Sequence, residues 1–218
     1  MWHILHLKMF LQTQVSPYQI VGGFNVKESD KLSFFVWRDF MEEFKLYSIT
    51  DEYISYLQKH FTNVYSNKMN NRTHTRKYLG TVMNMEGVCY YIPLSSPKDT
   101  DYQIAGEGKV IKKSIVPIIR IVVKNAKGEK ELKGTLRISH MIPVPESELI
   151  EYDINSEEDN AYRELVKDEW LFIRKNREKI SNYVKVMYKQ KIENYSVGYV
   201  KSALDYKMLE ELCKQFKK

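Results

Sequence analysis

Hydrophobic residues along the chain follow two patterns. Short apolar runs typical of β-strands come first, and longer segments with apolar residues at helical spacing follow. The strand-like runs cover residues 44–50, 78–85, 88–94, 115–124 and 132–138. Gly87 and Gly128 stand between successive runs, where a tight turn is needed, and this predicts two antiparallel hairpins. Apolar residues three or four positions apart then predict a long helix over residues 160–191 and a last helix over about 200–216.

The predicted elements define the fold class as α+β. We expect a compact antiparallel sheet or partial barrel, packed by helices and mainly by the long C-terminal ones. Thr50 or Asp51 can cap a short helix after the first strand, and Asn160 can cap the long helix. Residues 99–114 are polar and contain glycine, so we expect a loop there.

Composition is that of a soluble globular protein, with 43% hydrophobic and 28% charged residues. Cys89 and Cys213 are far apart and neither has a CxxC partner, so a disulfide framework or a zinc ribbon is not predicted. The first eleven residues are apolar but too few to span a bilayer. We therefore expect a cytoplasmic protein with no membrane contact.

The net charge of +6 is unevenly distributed along the chain. Residues 66–140 contain 14 basic and 6 acidic residues, residues 141–178 have a net charge of −6, and residues 179–218 have +5. A basic surface of this kind permits a polyanionic partner, although it does not require one.

The run over residues 88–94 ends abruptly in Ser95, Ser96, Pro97 and Lys98. Two hydroxyls, a cation and a proline that stiffens the backbone can together hold and stabilise a phosphate group. Composition alone favours a different interpretation, an ordinary Ser-Pro turn with a solvated lysine.

Two basic residues precede the first strand of the same hairpin. Arg76 and Lys77 stand directly before residue 78, and in an antiparallel pair the start of the first strand lies beside the end of the second. Arg76 and Lys77 are therefore expected at the same edge as Ser95, Ser96 and Lys98.

Five stretches of the chain resemble, in order and approximate spacing, the ToxN/AbiQ family of endoribonuclease toxins from type III toxin–antitoxin systems. They are residues 44–54, 77–82, the Pro-Leu-Ser-Ser-Pro-Lys stretch at 93–98, residues 141–145 and residues 170–176. Residues 1–40 match nothing in the family pattern. The resemblance predicts one toxin domain over residues 41–218, preceded either by an N-terminal extension or by residues upstream of the true start, and it favours the second.

The resemblance implies the compact antiparallel core that these toxins share with the MazF/Kid group of RNases. It implies a metal-independent endoribonuclease that cleaves single-stranded RNA by 2′-OH attack and leaves 2′,3′-cyclic phosphate and 5′-OH ends. A small antitoxin RNA with repeats would inhibit it in a closed protein–RNA assembly. The substrate would be cellular or phage RNA, and the role phage defence by abortive infection.

The family's loop falls on residues 95–98, which implies roles in catalysis for Ser95, Ser96 and Lys98. Its basic residue falls on Arg76, where an arginine can clamp phosphate but does not deprotonate to act as a base. The tyrosine that accompanies this loop in the family has no clean counterpart. His74 lies in the right loop, although a solvated histidine is the favoured interpretation.

Basic, histidine and tyrosine residues near this edge are expected to bind RNA. They are Arg72, His74, Lys77, Tyr78, Lys112, Lys113 and His140. Tyr90 and Tyr91 are further candidates for base stacking. His140 can equally line a groove or simply end a strand. The histidines include no i, i+4 pair, so neither a metal site nor a cofactor is predicted.

Two functions remain open on the sequence. The first is the endoribonuclease toxin. The second is a non-catalytic RNA-binding module in which Lys98 and Arg76 only hold the phosphate backbone, since ordinary phosphate contacts explain the positive charge equally well.

Overall fold

The computed structural model of the chain describes residues 44–67, 74–85, 87–106 and 108–217. Residues 1–40 and Arg72 lie outside these ranges, so the domain boundary at residue 41 stays a prediction. Within the described ranges, no helix is both long enough and apolar enough to cross a membrane.

The described fold begins with β1 (Lys45–Ile49) and α1 (Asp51–Gln58). The side-chain oxygen of Thr50 accepts a hydrogen bond from the backbone N–H of Tyr53 at 3.3 Å. Thr50, one of the two predicted candidates, is therefore the residue that caps α1.

β2 (Tyr78–Met85) and β3 (Val88–Ser95) form the predicted central hairpin. Gly87 has a φ of +83°, a left-handed conformation that glycine adopts without strain, and it turns the chain between the two strands. Every position of β3 except Cys89 is buried. This burial on both faces explains why the strand reads as a continuous apolar run rather than an alternating one.

Six further strands complete the β structure: β4 (Tyr102–Ala105), β5 (Gly108–Ile111), β6 (Ile119–Lys124), β7 (Lys130–Leu136), β8 (Ile142–Pro143) and β9 (Leu149–Glu151). The main sheet is antiparallel in the order β6-β7-β3-β2-β1-β9, and β8 pairs with the first half of β3. β7 pairs with the last two residues of β3, Leu94 and Ser95. Among the described residues the sheet does not close into a barrel.

The prediction of a loop over residues 99–114 is wrong. β4 and β5 form a separate two-stranded hairpin in which Tyr102 lies opposite Ile111, and Gly106 turns the chain at a φ of +60°. The hairpin escaped detection because each strand has only four residues and nearly all of their side chains are exposed. The apolar runs that predicted β1, β2, β3, β6 and β7 are missing here.

Four helices follow the sheet: α2 (Asn160–Lys175), α3 (Arg177–Ile192), α4 (Gly198–Lys201) and α5 (Tyr206–Gln215). The single long helix predicted over residues 160–191 is interrupted at Asn176, which has a φ of −108°. The Nδ2 of Asn176 donates to the carbonyl O of Phe172 at 2.8 Å. Asparagine side chains compete for backbone hydrogen bonds in this way and favour the ends of helices.

The helix caps also differ from the prediction. Asp159, not Asn160, caps α2, because its carboxylate accepts from two backbone N–H groups of the first turn, at 2.9 and 3.1 Å. The last helix predicted over residues 200–216 is likewise two helices. Asp205 starts the second of them by accepting from the Met208 N–H at 3.1 Å.

The helices cover the sheet with apolar faces. α2 packs on β6 and β7, α3 packs on β2, and α5 packs on β8. Their innermost residues are at most 1% exposed: Val166, Ile173, Ile180, Val184, Met187, Tyr206 and Leu209. Met208 of α5, by contrast, is exposed. The α+β class, with an antiparallel sheet and C-terminal helices, is confirmed.

Candidate active site at the end of strand β3

The start of β2 and the end of β3 meet at the edge that the sequence indicated. Arg76 is 4% exposed, and its Nη1 donates to the carbonyl O of Leu94 at 2.7 Å and to Ser95 Oγ at 2.8 Å. Its Nε donates to the carbonyl O of Ser66 at 3.1 Å. Arg76 therefore fixes the last two residues of β3, and the Ser95 side chain is itself buried.

Ser96 and Lys98 lie just beyond this pair, and both are exposed. Pro97 stands between them and restricts the backbone. The backbone N–H of Lys98 donates to Asp101 Oδ2 at 3.0 Å, and the carbonyl O of Lys98 accepts from the Asp101 N–H at 2.9 Å. The loop backbone is thus held in place while its hydroxyl and its ammonium group stay accessible.

Asp101 is fully buried and anchors this loop. Its Oδ1 lies 3.1 Å from Arg120 Nη2, and its Oδ2 lies 3.1 Å from Arg137 Nη2. Arg120 is 6% exposed, and its Nη1 donates to the carbonyl O of Lys113 at 2.8 Å. One buried carboxylate therefore ties two arginines to the backbone of Lys98. None of these three residues was predicted to belong to the site.

Tyr65 also joins the site without having been predicted. The Cζ of Arg76 lies 4.8 Å from the centre of the Tyr65 ring, and the Nζ of Lys98 lies 6.0 Å from it. The His140 ring stacks on the Tyr65 ring, with centroids 4.5 Å apart and 16° between the planes. The available signal was weak: Tyr65 is the only tyrosine in the polar stretch 65–75.

His140 ends a short 3₁₀ turn and lies beside the basic residues of the site. Burial, and then the cations of Arg137, Lys98 and Arg76, lower the pKa of His140 to about 4. One ring nitrogen, Nδ1, lies 3.0 Å from Ser139 Oγ. The imidazole is therefore uncharged at neutral pH. His140 does not end a strand, because it ends the 3₁₀ turn Ile138–His140, and its predicted RNA-binding role stays a prediction.

His74 lies in a different cluster, against the acidic segment before α2. Its ring stacks on the Tyr162 ring, with centroids 3.8 Å apart and 5° between the planes. Its Nε2 is 3.2 Å from Asp159 Oδ2, and its Nδ1 is 3.9 Å from Glu157 Oε1. His74 is thus neither the solvated histidine that the sequence favoured nor a member of the Lys98 cluster.

Lys77 points into the same acidic cluster, although it neighbours Arg76 in sequence. Its Nζ lies 3.9 Å from the centre of the Tyr152 ring and donates to Ser48 Oγ at 3.2 Å. Successive residues of an extended chain face opposite ways. The edge that was predicted to hold both basic residues therefore holds Arg76 alone.

The predicted stacking role of Tyr78, Tyr90 and Tyr91 is wrong for the described structure. The three side chains are at most 3% exposed, because they belong to the central hairpin that is covered on both faces. The Tyr90 hydroxyl donates to the buried Glu210 carboxylate at 2.8 Å. Aromatic rings enclosed in this way do not offer a face to a base.

Lys112 and Lys113 follow the β4–β5 hairpin. The Nζ of Lys112 donates to the carbonyl O of Thr100 at 3.0 Å, and its backbone N–H donates to the carbonyl O of Asp101 at 2.9 Å. Lys113 is exposed. Lys112 therefore secures the base of the hairpin, whereas Lys113 is an accessible cation.

A buried acid lies behind the end of β3. Glu169 of α2 is 7% exposed, and burial together with the neighbouring Asp168 carboxylate raises the pKa of Glu169 to about 8. It packs against Gly134 of β7, where a Cβ atom would collide with Glu169 Oε1 and lie 3.4 Å from the carbonyl O of Ser95. Glycine at position 134 therefore makes room for this carboxyl group.

The groups at this edge are hydroxyls, cations, a phenol and a neutral imidazole. Such groups can orient a phosphate, neutralise charge that develops on it and transfer protons. No cluster of three or more histidine, cysteine, aspartate or glutamate side chains suited to a metal ion occurs within the described ranges. The fold and the site together define an α+β protein with an accessible serine and lysine at one edge of its antiparallel sheet.

Comparison with known proteins then gives the family. Residues 45–214 match the family described as toxin ToxN of type III toxin–antitoxin systems. The chain belongs to this family, and the resemblance seen in the five sequence stretches is confirmed.

Two curated relatives and one solved structure show how far the similarity extends. The chain is 29% identical over 180 residues to endoribonuclease ToxN of Bacillus thuringiensis subsp. kurstaki, covering 79% of this chain and 84% of the relative. It is 29% identical over 179 residues to endoribonuclease AbiQ of Lactococcus lactis subsp. lactis, covering 82% and 92%. A solved toxin structure, from work on selective toxin inhibition by a non-coding RNA pseudoknot, has a TM-score of 0.62 and 27% identity, covering 80% and 98%.

Proposed function

We propose that this chain is an endoribonuclease toxin that cuts single-stranded RNA without a metal ion. The 2′-OH of the RNA attacks the neighbouring phosphate, so the products carry a 2′,3′-cyclic phosphate and a 5′-OH. The observation that carries the proposal is the end of β3, where Arg76 fixes Ser95 and leaves Ser96 and Lys98 accessible. Both curated relatives named above are endoribonucleases, which supports the same activity here.

Lys98 supplies positive charge to the reacting phosphate. The five-coordinate phosphorane carries more negative charge than the phosphodiester, so an adjacent ammonium stabilises the transition state more than the bound substrate. The Ser96 hydroxyl donates to a non-bridging oxygen and orients the phosphate. The Lys98 N–H donates to the Asp101 carboxylate and the Asp101 N–H donates to the Lys98 carbonyl O, and these two hydrogen bonds keep the loop in one conformation.

Arg76 acts through Ser95 rather than on the RNA. We expected a phosphate clamp from the sequence, but a guanidinium that is 4% exposed and donates to Ser66, Leu94 and Ser95 is directed into the protein. Arg76 is therefore a positioning residue, and its own charge contributes to the field around the phosphate only from behind the strand end.

Two proton transfers accompany the cut, one from the 2′ oxygen and one to the leaving 5′ oxygen. His140 and Tyr65 are stacked next to Lys98 and are the groups to which we assign these transfers. The uncharged imidazole of His140 can accept the first proton at neutral pH, and the phenol of Tyr65 can donate the second. The low pKa of His140 makes it a weak base, so its rate contribution depends on close placement.

A small antitoxin RNA with repeats is the proposed inhibitor, in a closed protein–RNA assembly. One solved relative comes from work on selective toxin inhibition by a non-coding RNA pseudoknot, and AbiQ is described as a lactococcal anti-phage endoribonuclease of the type III class. The proposed targets are cellular or phage RNA in the cytoplasm, and the proposed role is phage defence by abortive infection. The basic stretch over residues 66–140 suits both RNA ligands.

The test is cleavage of a 5′-labelled single-stranded RNA by the full chain in buffer with EDTA. We expect discrete cuts, 5′-OH groups that polynucleotide kinase phosphorylates without prior phosphatase treatment, and cyclic phosphates on the other fragments. A 2′-deoxy nucleotide at a cut position should block that cut alone, since its attacking oxygen is missing.

Lys98→Ala protein, purified in parallel, is the control for contaminating ribonuclease, because a contaminant would cut in both samples. Binding of RNA with no cleavage by the wild-type chain would favour the non-catalytic RNA-binding module. Products with 5′-phosphate ends would contradict attack by the 2′-OH.

A further inference from the structure

The β4–β5 hairpin follows the candidate active site directly in the chain. β4 begins at Tyr102, four residues after Lys98, and the two strands pair with each other and with no other strand of the described ranges. The hairpin is thus no part of the main sheet.

The base of the hairpin is fixed firmly to the site. Asp101, just before β4, is bound by Arg120 and Arg137 and by the Lys98 N–H. Lys112, just after β5, donates from its backbone to the carbonyl O of Asp101 at 2.9 Å. The ion pairs of the buried Asp101 hold the start of the hairpin, and the backbone hydrogen bond from Lys112 to Asp101 joins its two ends. The hairpin therefore has a defined position relative to Lys98.

The outer part of the hairpin exposes apolar side chains. Ile104 is 82% exposed and Val110 is 41% exposed, and Ile115 shortly after β5 is 52% exposed. Ile104 is the most exposed large hydrophobic residue within the described ranges. Val110 lies on the opposite face of the hairpin from Ile104, whose own face also carries the half-buried Tyr102 and Ile111. This face, with one aromatic and two aliphatic side chains, offers an apolar surface to another molecule.

Cations accompany these apolar side chains. Ile104 lies opposite Lys109 in the pairing register, so the two side chains share one face of the hairpin. Lys109 is 68% exposed, and its contact with the exposed Asp99 at 3.3 Å is of a kind that stabilises little in water. Lys113 adds a second accessible cation at the end of β5.

An apolar face with cations next to a phosphate site suits a single strand of RNA. Bases present flat apolar surfaces and the backbone presents negative charge at every nucleotide. A protein partner would need a larger apolar patch, since stable protein interfaces bury about 800 Å² on each side. Lys109 contacts Asp99, the residue after Lys98, so this face of the hairpin lies beside the loop that would hold the phosphate.

We propose that the β4–β5 hairpin binds bases of the RNA next to the cleaved phosphodiester, with Ile104 and Lys109 as its contact residues, and so sets which sequences are cut. This inference rests on the proposed ribonuclease function. It adds that the hairpin contributes to the choice of RNA site and contributes nothing to the cleavage step itself.

The test compares Ile104→Ser with Leu171→Ser, a matched control on α2 that is 62% exposed. Cut positions in a long RNA and kcat/KM on an oligonucleotide are measured beside cleavage of a dinucleotide, which is too short to reach the hairpin. For Ile104→Ser we expect less selective cut positions and a loss on the order of tenfold in kcat/KM on the oligonucleotide, the loss of one base contact. Dinucleotide cleavage should be unchanged, and Leu171→Ser should match the wild type in all three assays.

Cross-linking provides a second measurement that does not depend on activity. Ile104→benzoylphenylalanine should cross-link on illumination to an uncleavable 2′-deoxy-substituted RNA, and the same substitution at Leu171 should not. Wild-type cut positions and rates for Ile104→Ser, or no RNA cross-link from position 104, would overturn the inference while leaving the ribonuclease function intact. A wild-type chain that cuts no RNA would instead overturn the proposed function, and the inference with it.

Discussion

The edge at the end of β3 has a buried side, formed by Arg76, Ser95 and Asp101, and an exposed side, formed by Ser96 and Lys98. Both sides combine hydroxyls and charges. On the buried side every charge has a protein partner at 2.7–3.1 Å, whereas on the exposed side the side chains are accessible to a ligand. One short stretch thus combines side chains that hold the backbone in place with side chains that a ligand can reach. Variants of the buried side should change stability, and variants of the exposed side should change activity.

The largest effect on stability is expected for Asp101→Ala. Removal of this carboxylate leaves two arginines without their shared partner, one of them buried, and breaking such a network typically costs about 3–5 kcal/mol. Urea unfolding measures the loss. Asp99→Ala is the control, because Asp99 is 95% exposed and should unfold like the wild type. An unchanged unfolding midpoint for Asp101→Ala would show that the Asp101 ion pairs do not stabilise the fold.

A smaller, pH-dependent effect is expected for Glu169→Gln. The pKa of Glu169 rises from about 4.5 in the unfolded chain to about 8 in the fold, so the folded protein holds a proton that the unfolded chain releases. Its contribution to stability is complete below about pH 4.5 and is lost as the pH rises to about 8, on the order of a few kcal/mol. Unfolding free energies of wild type and Glu169→Gln across this range test it. The wild type should lose more stability with rising pH, and parallel curves would contradict the prediction.

The salt dependence of RNA affinity should show which exposed lysines contact the RNA. RNA binding releases counterions, so the affinity of the chain for an uncleavable 2′-deoxy-substituted RNA should fall steeply between about 50 and 200 mM salt. Lys113→Ala should reduce the slope of log affinity against log salt by about one. Lys130 is also exposed but lies at the far end of β7, so Lys130→Ala should leave the slope unchanged. Equal slopes for both variants and the wild type would place the RNA elsewhere.

The smallest effect is expected for removal of residues 1–40. The family match begins at residue 45, and both sides of the site lie within the described residues after it. A chain that starts at Met41 should therefore fold, bind RNA and cut it as the full chain does. Loss of solubility or of cleavage in this shorter chain, with the full chain active, would show that the N-terminal residues belong to the functional domain.

The exposed side of the site and much of its buried side could be predicted from the sequence, because both depend on neighbouring residues and on a single hairpin. Ser95, Ser96 and Lys98 are consecutive with a strand that is recognisable from its apolar run, and hairpin geometry alone placed Arg76 opposite them. The same reasoning put Lys77 with Arg76, because it had no means of telling which way successive side chains face at the start of β2.

The rest of the site depends on contacts between distant parts of the chain. Asp101 meets Arg120 and Arg137 through pairing of β6 with β7, and Tyr65 meets His140 across 75 positions. Contacts between residues so far apart in the chain leave no periodic pattern in the sequence. The β4–β5 hairpin was missed for a related reason, since its side chains are exposed and burial is what gives a strand its apolar signature.

Central to this account is the claim that Lys98 stabilises the transition state more than the bound substrate. The most direct measurement is the single-turnover cleavage rate of Lys98→Ala on a short RNA, together with its affinity for the 2′-deoxy-substituted form of the same RNA. Lys113→Ala provides the comparison, as an exposed lysine outside the loop. We expect Lys98→Ala to lose on the order of a hundredfold or more in rate, with an affinity close to that of Lys113→Ala. A folded Lys98→Ala protein that cuts at a near wild-type rate, or one whose rate and affinity fall together, would contradict the claim.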